Sequence, residues 1–171
     1  NGEFANYSVD TSNKIWTVTE DFTLHTYSVE NIERIEFSNN AIAYDIEGNA
    51  GKTVKLLAAL LGQESAKDKT YIGAGLSLLD SGMSYDTLMK TALDTVFGSN
   101  PSGATVVDTL YTNLVGSSAP QSVLDEYGAM LDCGSMTATA LGIAVADHSL
   151  NATNIYLVGL IQTGVEYIPY G

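Results

Sequence analysis

The pattern Leu-Asp-x-Gly occurs twice, at 79–82 and at 131–134, and its surroundings recur with it. "LLDSGMSYDTL" (78–88) aligns with "MLDCGSMTATAL" (130–141) once one residue is inserted. Upstream, "LLAALLG" (56–62) corresponds to "LYTNLVG" (110–116), and Asp94 falls near Asp147, so the internal period is about 52 to 54 residues. Each copy reads as helix, loop, helix, glycine turn, helix. A unit of that size cannot bury its own apolar face, so two copies are expected to stack about a shared core.

The helices follow from spacing and punctuation. From Asn49, the expected N-cap, Val54, Leu57, Ala58 and Leu61 recur at helical intervals until Gly62 ends the run. Further helices are predicted over 70–80, 84–97, 104–115, 121–132, 136–147 and 151–163. Ser84, Ser102 or Gly103, Ser135 or Thr137, and Asn151 stand as caps; Gly82, Gly98, Gly116, Gly134 and Gly164 stand as stops. That makes about seven helices.

Residues 1–47 carry a different rhythm. "NYSV", "KIWTVTE", "TLHTYSV", "IERIEFS" and "AIAYDI" are β-rich runs. Asp10-Thr-Ser-Asn13 marks a turn between the first two. Asn39-Asn40, which tolerates positive φ, marks a tight turn before the last. The expected class is α+β, with short N-terminal β-hairpins forming a β-roll-like cap ahead of an all-α duplicated helical repeat. The cap spans 1–48; the helical domain spans 49–171, with repeats at about 52–100 and 104–150 and a C-terminal helix.

Composition narrows the partners. The chain has 171 residues, 45% of them apolar, enough for a real core. Seven basic against twenty acidic residues give a formal charge of −13 and a pI near 4.2. Such a field repels a phosphate backbone, which argues against nucleic acid, and it disfavours an anionic membrane surface. It suits divalent cations or an extracellular setting. No window approaches the roughly 18 uninterrupted apolar residues of a membrane span. The start, "NGEFANYSVD", has no Met and no basic region leading into an apolar one, so the chain reads as part of a larger protein. Cys133, the single cysteine, excludes an internal disulfide, and its neighbours in "MLDCGSM" suggest a buried core thiol.

The residues of the junction and the chain end carry a resemblance. "SVENIERIEFSNNAIAYD", then "YDIEGNAG" (44–51), then a helix, then "GMSYDTL" and the final "GVEYIPYG" (164–171) follow one another in order. Over roughly residues 29–171 this resembles the domain of unknown function found at the C-terminal ends of hemolysin-type (RTX) calcium-binding, type I-secreted bacterial proteins. The resemblance implies a secreted or cell-surface location, an RTX-associated setting, and a role beside the other domains of a parent protein. The chain departs from that pattern in two loops. "GQESAKDKTYIGAGL" and "GSSAPQSVLDEYGAM" lack the family's Arg, its Pro-Asp pair and the Trp of the following helix. The Gly-Gly-x-Gly-x-Asp nonapeptides of a calcium-binding β-roll are absent as well.

Chemistry-bearing constellations are sparse. His25 and His148 stand far apart with no zinc spacing; His25 reads as a strand face residue and His148 as a helix C-terminal group favoured by the dipole. Asp45, Glu47 and Asn49 alternate through the junction and offer oxygens to a calcium ion, the one cofactor the pattern suggests. The plainer reading is that Asp45 satisfies loop amides while Asn49 caps the helix. Glu33 and Glu36 bracket Ile35 as a strand's solvent face rather than pairing with Asp21 for glycoside hydrolysis. Asp80 and Asp132, equivalent through the duplication, suggest a turn role. "GSNPSGAT" (98–105) has Ala where a P-loop needs Lys, and no Gly-x-Ser-x-Gly elbow exists. Tyr71, Tyr85, Tyr111, Tyr127 and Tyr156 fall at helical positions and are expected to pack. The expected function is therefore non-catalytic: a C-terminal module acting in capping, secretion or surface association. The alternatives are a module binding carbohydrate or itself in a surface layer or adhesin, and, more remotely, a hydrolase fragment.

Overall fold

The computed structural model describes residues 7–10, 16–20, 25–29 and 32–170. It is α+β, with two small antiparallel sheets and a helical body. In the first sheet β1 (Tyr7–Asp10) pairs with β2 (Trp16–Glu20), which pairs with β3 (Thr26–Val29), placing Val9 opposite Val18 and Val18 opposite Tyr27. Apart from Asp10, the turn expected at 10–13 lies outside the described residues, as does Asp21. In the second sheet β4 (Arg34–Glu36) and β5 (Ala41–Ala43) form a hairpin, and β6 (Val165–Tyr167) adds to β5 on its other side. The hairpin loop closes with Phe37 N–H donating to Asn40 O at 2.8 Å. Neither asparagine takes the expected positive φ. Loops of four residues are commonly built around a type I turn, which needs none.

Eight helices follow: α1 (Asn49–Leu61), α2 (Lys69–Asp80), α3 (Tyr85–Phe97), α4 (Gly103–Val115), α5 (Gln121–Asp132), α6 (Ala138–Ala146), α7 (Ser149–Asn154) and α8 (Leu157–Thr163). A 3₁₀ turn at Ser65–Lys67 links the first two. Ser84, Ser102 and Thr137 accept from the backbone N–H three residues on, as helix caps do. The eighth helix arises because the segment 151–163 breaks at Tyr156, whose φ of 52° is the one positive value among described non-glycine residues. Its ring lies over Gly159, where any Cβ would meet it.

The helix α1 is buried almost all round and divides the interior. Val54, Leu57 and Ala58 join Ala41, Ala43, Ile46, Ile72, Leu76, Val165 and Tyr167 in one cluster with the second sheet. Leu56, Ala59 and Leu60 join Leu79, Leu88, Met89 and Leu93, and across the duplication Val106, Leu110 and Ala146, in another. The second cluster is the interior common to both three-helix units. Among the described residues no helix is long and apolar enough to cross a membrane.

Candidate functional site

The predicted calcium ligands sit where β5 hands over to α1. Residues 45–48 make a turn closed by Gly48 N–H donating to Asp45 O at 2.7 Å. The Asp45 carboxylate faces back into it: Oδ2 accepts from Ala50 N–H at 3.2 Å, and both oxygens meet the Arg34 guanidinium, Nη1 on Oδ1 and Nη2 on Oδ2. The carboxylate thus satisfies one amide in the first turn of α1, while the main-chain oxygen of Asp45 takes the loop amide of Gly48. Asn49 does not cap α1: its Nδ2 donates to Asp80 Oδ1 at 2.7 Å, the helix begins after Gly48, and no side-chain cap bond forms from that residue. Glu47 is exposed. Arg34 Nη2 also lies 3.4 Å from both Asp80 oxygens. One half-buried cation therefore ties strand β4, the turn and the end of α2.

Burial by itself would weaken the Arg34 guanidinium's hold on its proton. The hydrogen bond and charge of Asp45, with Asp80 and Tyr167 behind them, outweigh that and raise its pKa. Among the described residues no three His, Cys, Asp or Glu side chains gather in a way that could hold a metal ion. A calcium ion here would have to displace the guanidinium from Asp45. Millimolar calcium is accordingly expected to shift the melting temperature by less than ~1 °C; a rise of several degrees, lost in Asp45→Asn, would reverse this assignment.

The duplicated aspartates do equivalent work. Asp80 holds the first residue of α1 through Asn49, and Asp132 Oδ1 accepts from the N–H of Gly103, the first residue of α4, at 2.7 Å. In each unit the end of the second helix secures the start of the first. Asn113 Nδ2 donates to Ala59 O and joins the units. Asn151, expected as a cap, is buried instead and donates to Lys55 O and Ala146 O. His148 sits at a helix start rather than a helix end, its Nδ1 accepting from Leu150 N–H, which places the proton of a neutral ring on Nε2. Cys133 is exposed rather than buried, because it follows the last residue of α5 on the solvent side; its hydrogen bond with Ser135 draws the thiol pKa down. Tyr71 and Tyr156 are exposed, while Tyr85 is partly buried against the common interior, where burial and then the charge of Asp147 raise its pKa.

Glu166, on β6, is paired with Lys69 and accepts from Asn40 Nδ2 at 3.1 Å. Partial burial opposes its charge, but these partners prevail and lower its pKa from 4.5. A carboxylate depressed in the fold contributes stability above its unfolded pKa, lost as pH falls through the folded value. The melting-temperature gap between the wild type and Glu166→Gln should therefore be open at neutral pH and narrow below about pH 4.5. A gap independent of pH would contradict the pairing.

Among the described residues three clefts open on the surface: one of about 410 Å³ beside β6 is lined by Lys67, Lys69, Ile72, Leu160 and Glu166 among others, and two lie in the helical body. One of about 390 Å³ lies between α2 and α3 over α1, lined by Leu56, Leu60, Leu61, Tyr71, Leu78 and Val96 among others. The other, of about 460 Å³, lies between α5 and α6 over α4, with Leu110, Tyr111, Leu114, Val123, Tyr127 and Val145 in its walls. They occupy the same place in the two units, so the duplication extends to them. Neither wall carries an Asp, Glu, Lys or Arg, though His148 lines the second. Sequence reading missed these clefts; the signal was present in the duplicated apolar runs, whose three helices each leave one side uncovered. The chain matches no family model, no curated protein and no solved structure.

Proposed function

We propose that this chain is a non-catalytic module of a larger secreted or cell-surface bacterial protein, related to the C-terminal domains of hemolysin-type proteins and acting in capping, secretion or surface association. The observation that carries the reading is the employment of its acids. Asp45, Asp80, Asp132, Asp147 and Glu166 are each engaged by a cation, an amide or a helix start, while both helical clefts are walled without charge. A carboxylate serving acid–base turnover is aimed at a substrate space, and these acids are aimed at the fold; His148, which lines the second cleft, spends its Nδ1 on Leu150 N–H. The parent protein's secretion, with and without residues 49–171, is the test. Loss of export or of surface retention on deletion is expected; unchanged levels of both would overturn the proposal.

A second reading, binding to itself within a surface layer, is favoured by the exposed apolar side chains of α8 and of the first cleft's rim.

A further inference from the structure

The apolar spacing of 151–163 predicts one helix and no proline interrupts it, yet the chain reverses at Tyr156. That residue holds φ 52° and ψ 44°, in the left-handed region, and no side-chain cap bond compensates it. A side chain there crowds the backbone, and such a conformation persists only where its surroundings impose it. Here they impose it from both sides. Before the reversal, Asn151 donates to Lys55 O and Ala146 O, and Asn154 donates to Leu114 O, so α7 is fixed. After it, Leu157 and Leu160, both only partly buried, pack against the cluster beneath the second sheet. Then α8 ends at Thr163 and β6 begins at Val165, with Gly164 alone between them. The strand is firmly held. Val165 and Tyr167 are buried, Ile168 N–H donates to Lys69 O at 3.0 Å, and Glu166 engages Lys69 and Asn40. With one residue of slack, α8 cannot take another direction while β6 stays in the sheet.

We propose that β6 is the latch of a sprung hinge: its pairing with β5 keeps Tyr156 strained, and its release lets 149–163 run as a single helix. The bent form leaves helical bonding incomplete. Tyr156 N–H donates to Thr153 O and Gly159 N–H to Tyr156 O, each spanning only three residues. The amides of Leu157 and Val158, the first two of α8, have no carbonyl within their own helix. In a continuous helix they meet Thr153 O and Asn154 O, four residues back. Straightening therefore gains two helical bonds and relieves Tyr156, and it gives up the β6 pairing and the packing of Leu157 and Leu160. Gly159 suits both forms, and the bent one requires it, because the Tyr156 ring occupies the place of a Cβ. Hinge and strand are coupled in both directions: strain at Tyr156 loosens β6, and relief of that strain tightens it. The chain thus has two forms that differ in whether Val165–Tyr167 is docked, and the hinge stores the difference.

Amide hydrogen exchange, followed residue by residue by NMR on the 171-residue chain, tests it. The amides of Val165 and Tyr167 report on β6. They stand opposite Ala43 and Ala41, whose backbone groups face that strand because those of Asn40 and Tyr44 are spent on Phe37 and Glu33. Tyr156→Gly removes the strain and should slow exchange at both amides about tenfold. Tyr156→Ala loses the ring equally but keeps a Cβ, and should slow neither. Residue 156 is 74% exposed, so neither change empties the core. Val165→Asp places a charge where β6 is buried and should release the strand. Leu157 and Val158 should then exchange at least about threefold more slowly than in the wild type, a gain that fraying of α8 cannot produce. If Val165→Asp does not fold, the two Tyr156 variants decide alone. Exchange at Val165 and Tyr167 that ignores Tyr156→Gly, or that Tyr156→Ala slows as much, would overturn the proposal. So would a folded Val165→Asp protein whose Leu157 and Val158 amides stay as open as in the wild type.

Discussion

Gly51→Ala is expected to be strongly destabilising, because Gly51 is buried in the first turn of α1. A Cβ at residue 51 would lie 1.7 Å from the backbone oxygen of Ile46 and 2.7 Å from its carbonyl carbon. The obstacle is main chain, not a side chain that can rotate away, so the turn 45–48 or the first turn of α1 has to move. Moving either draws Asp45 away from Ala50 and Arg34. Overpacking that forces a backbone shift costs on the order of 3 kcal/mol or more. At 2–4 °C per kcal/mol for a chain of this size, the melting temperature should fall by roughly 6–12 °C. A fall under about 2 °C would show that the handover from strand to helix is looser than the structure describes.

Arg34→Ala is expected to come next. The side chains of Arg34 and Asp45 are 19% and 12% exposed, so the pair is largely withdrawn from water. Removing the cation leaves Asp45 half-buried and uncompensated and takes from Asp80 one of its two partners. Breaking a buried pair from one side costs about 2–4 kcal/mol when some solvent access remains. Asp45→Asn in the same background should recover part of that loss, because the amide no longer needs the guanidinium. Arg34→Lys should fall between, since an ammonium cannot make the forked contact. Equal melting temperatures for Arg34→Ala and the wild type would remove the ion pair from any account of the junction.

These two residues also show where the sequence was informative. The run Asp-x-x-Gly-Asn-x-Gly at 45–51 reads from the chain as a strand-to-helix junction, and it is one. Asp45 meets a local amide, as expected, because the turn brings it there within five residues. Arg34 could not be assigned to it, being eleven residues away and brought near by the hairpin. The same divide runs through the helices. Ser84, Ser102 and Thr137 act within their own first turns; Ser84 was legible outright, and the other two each as one of a pair with Gly103 and Ser135. Asn49 and Asn151 look like the same kind of residue, yet each is taken by a distant partner, Asp80 and the Lys55 carbonyl. The apolar pattern of 151–163 runs on without marking the reversal at Tyr156. The strand β6 is three residues long, and its only signal is its pairing with β5. The clefts were legible only in part: the duplicated runs say which side chains are apolar, and only packing says which are left uncovered.

Asn40 and Glu166 stand 126 residues apart and meet across β5 and β6. The central strand of that sheet thus acquires its second neighbour only when Val165–Tyr167 are available. A chain still emerging from a ribosome can zip its helices one after another while Ala41–Ala43 waits with an open edge. The sheet is in this way a clasp across the helical body: strands 41–43 and 165–167 can join only after every helix between them has been made.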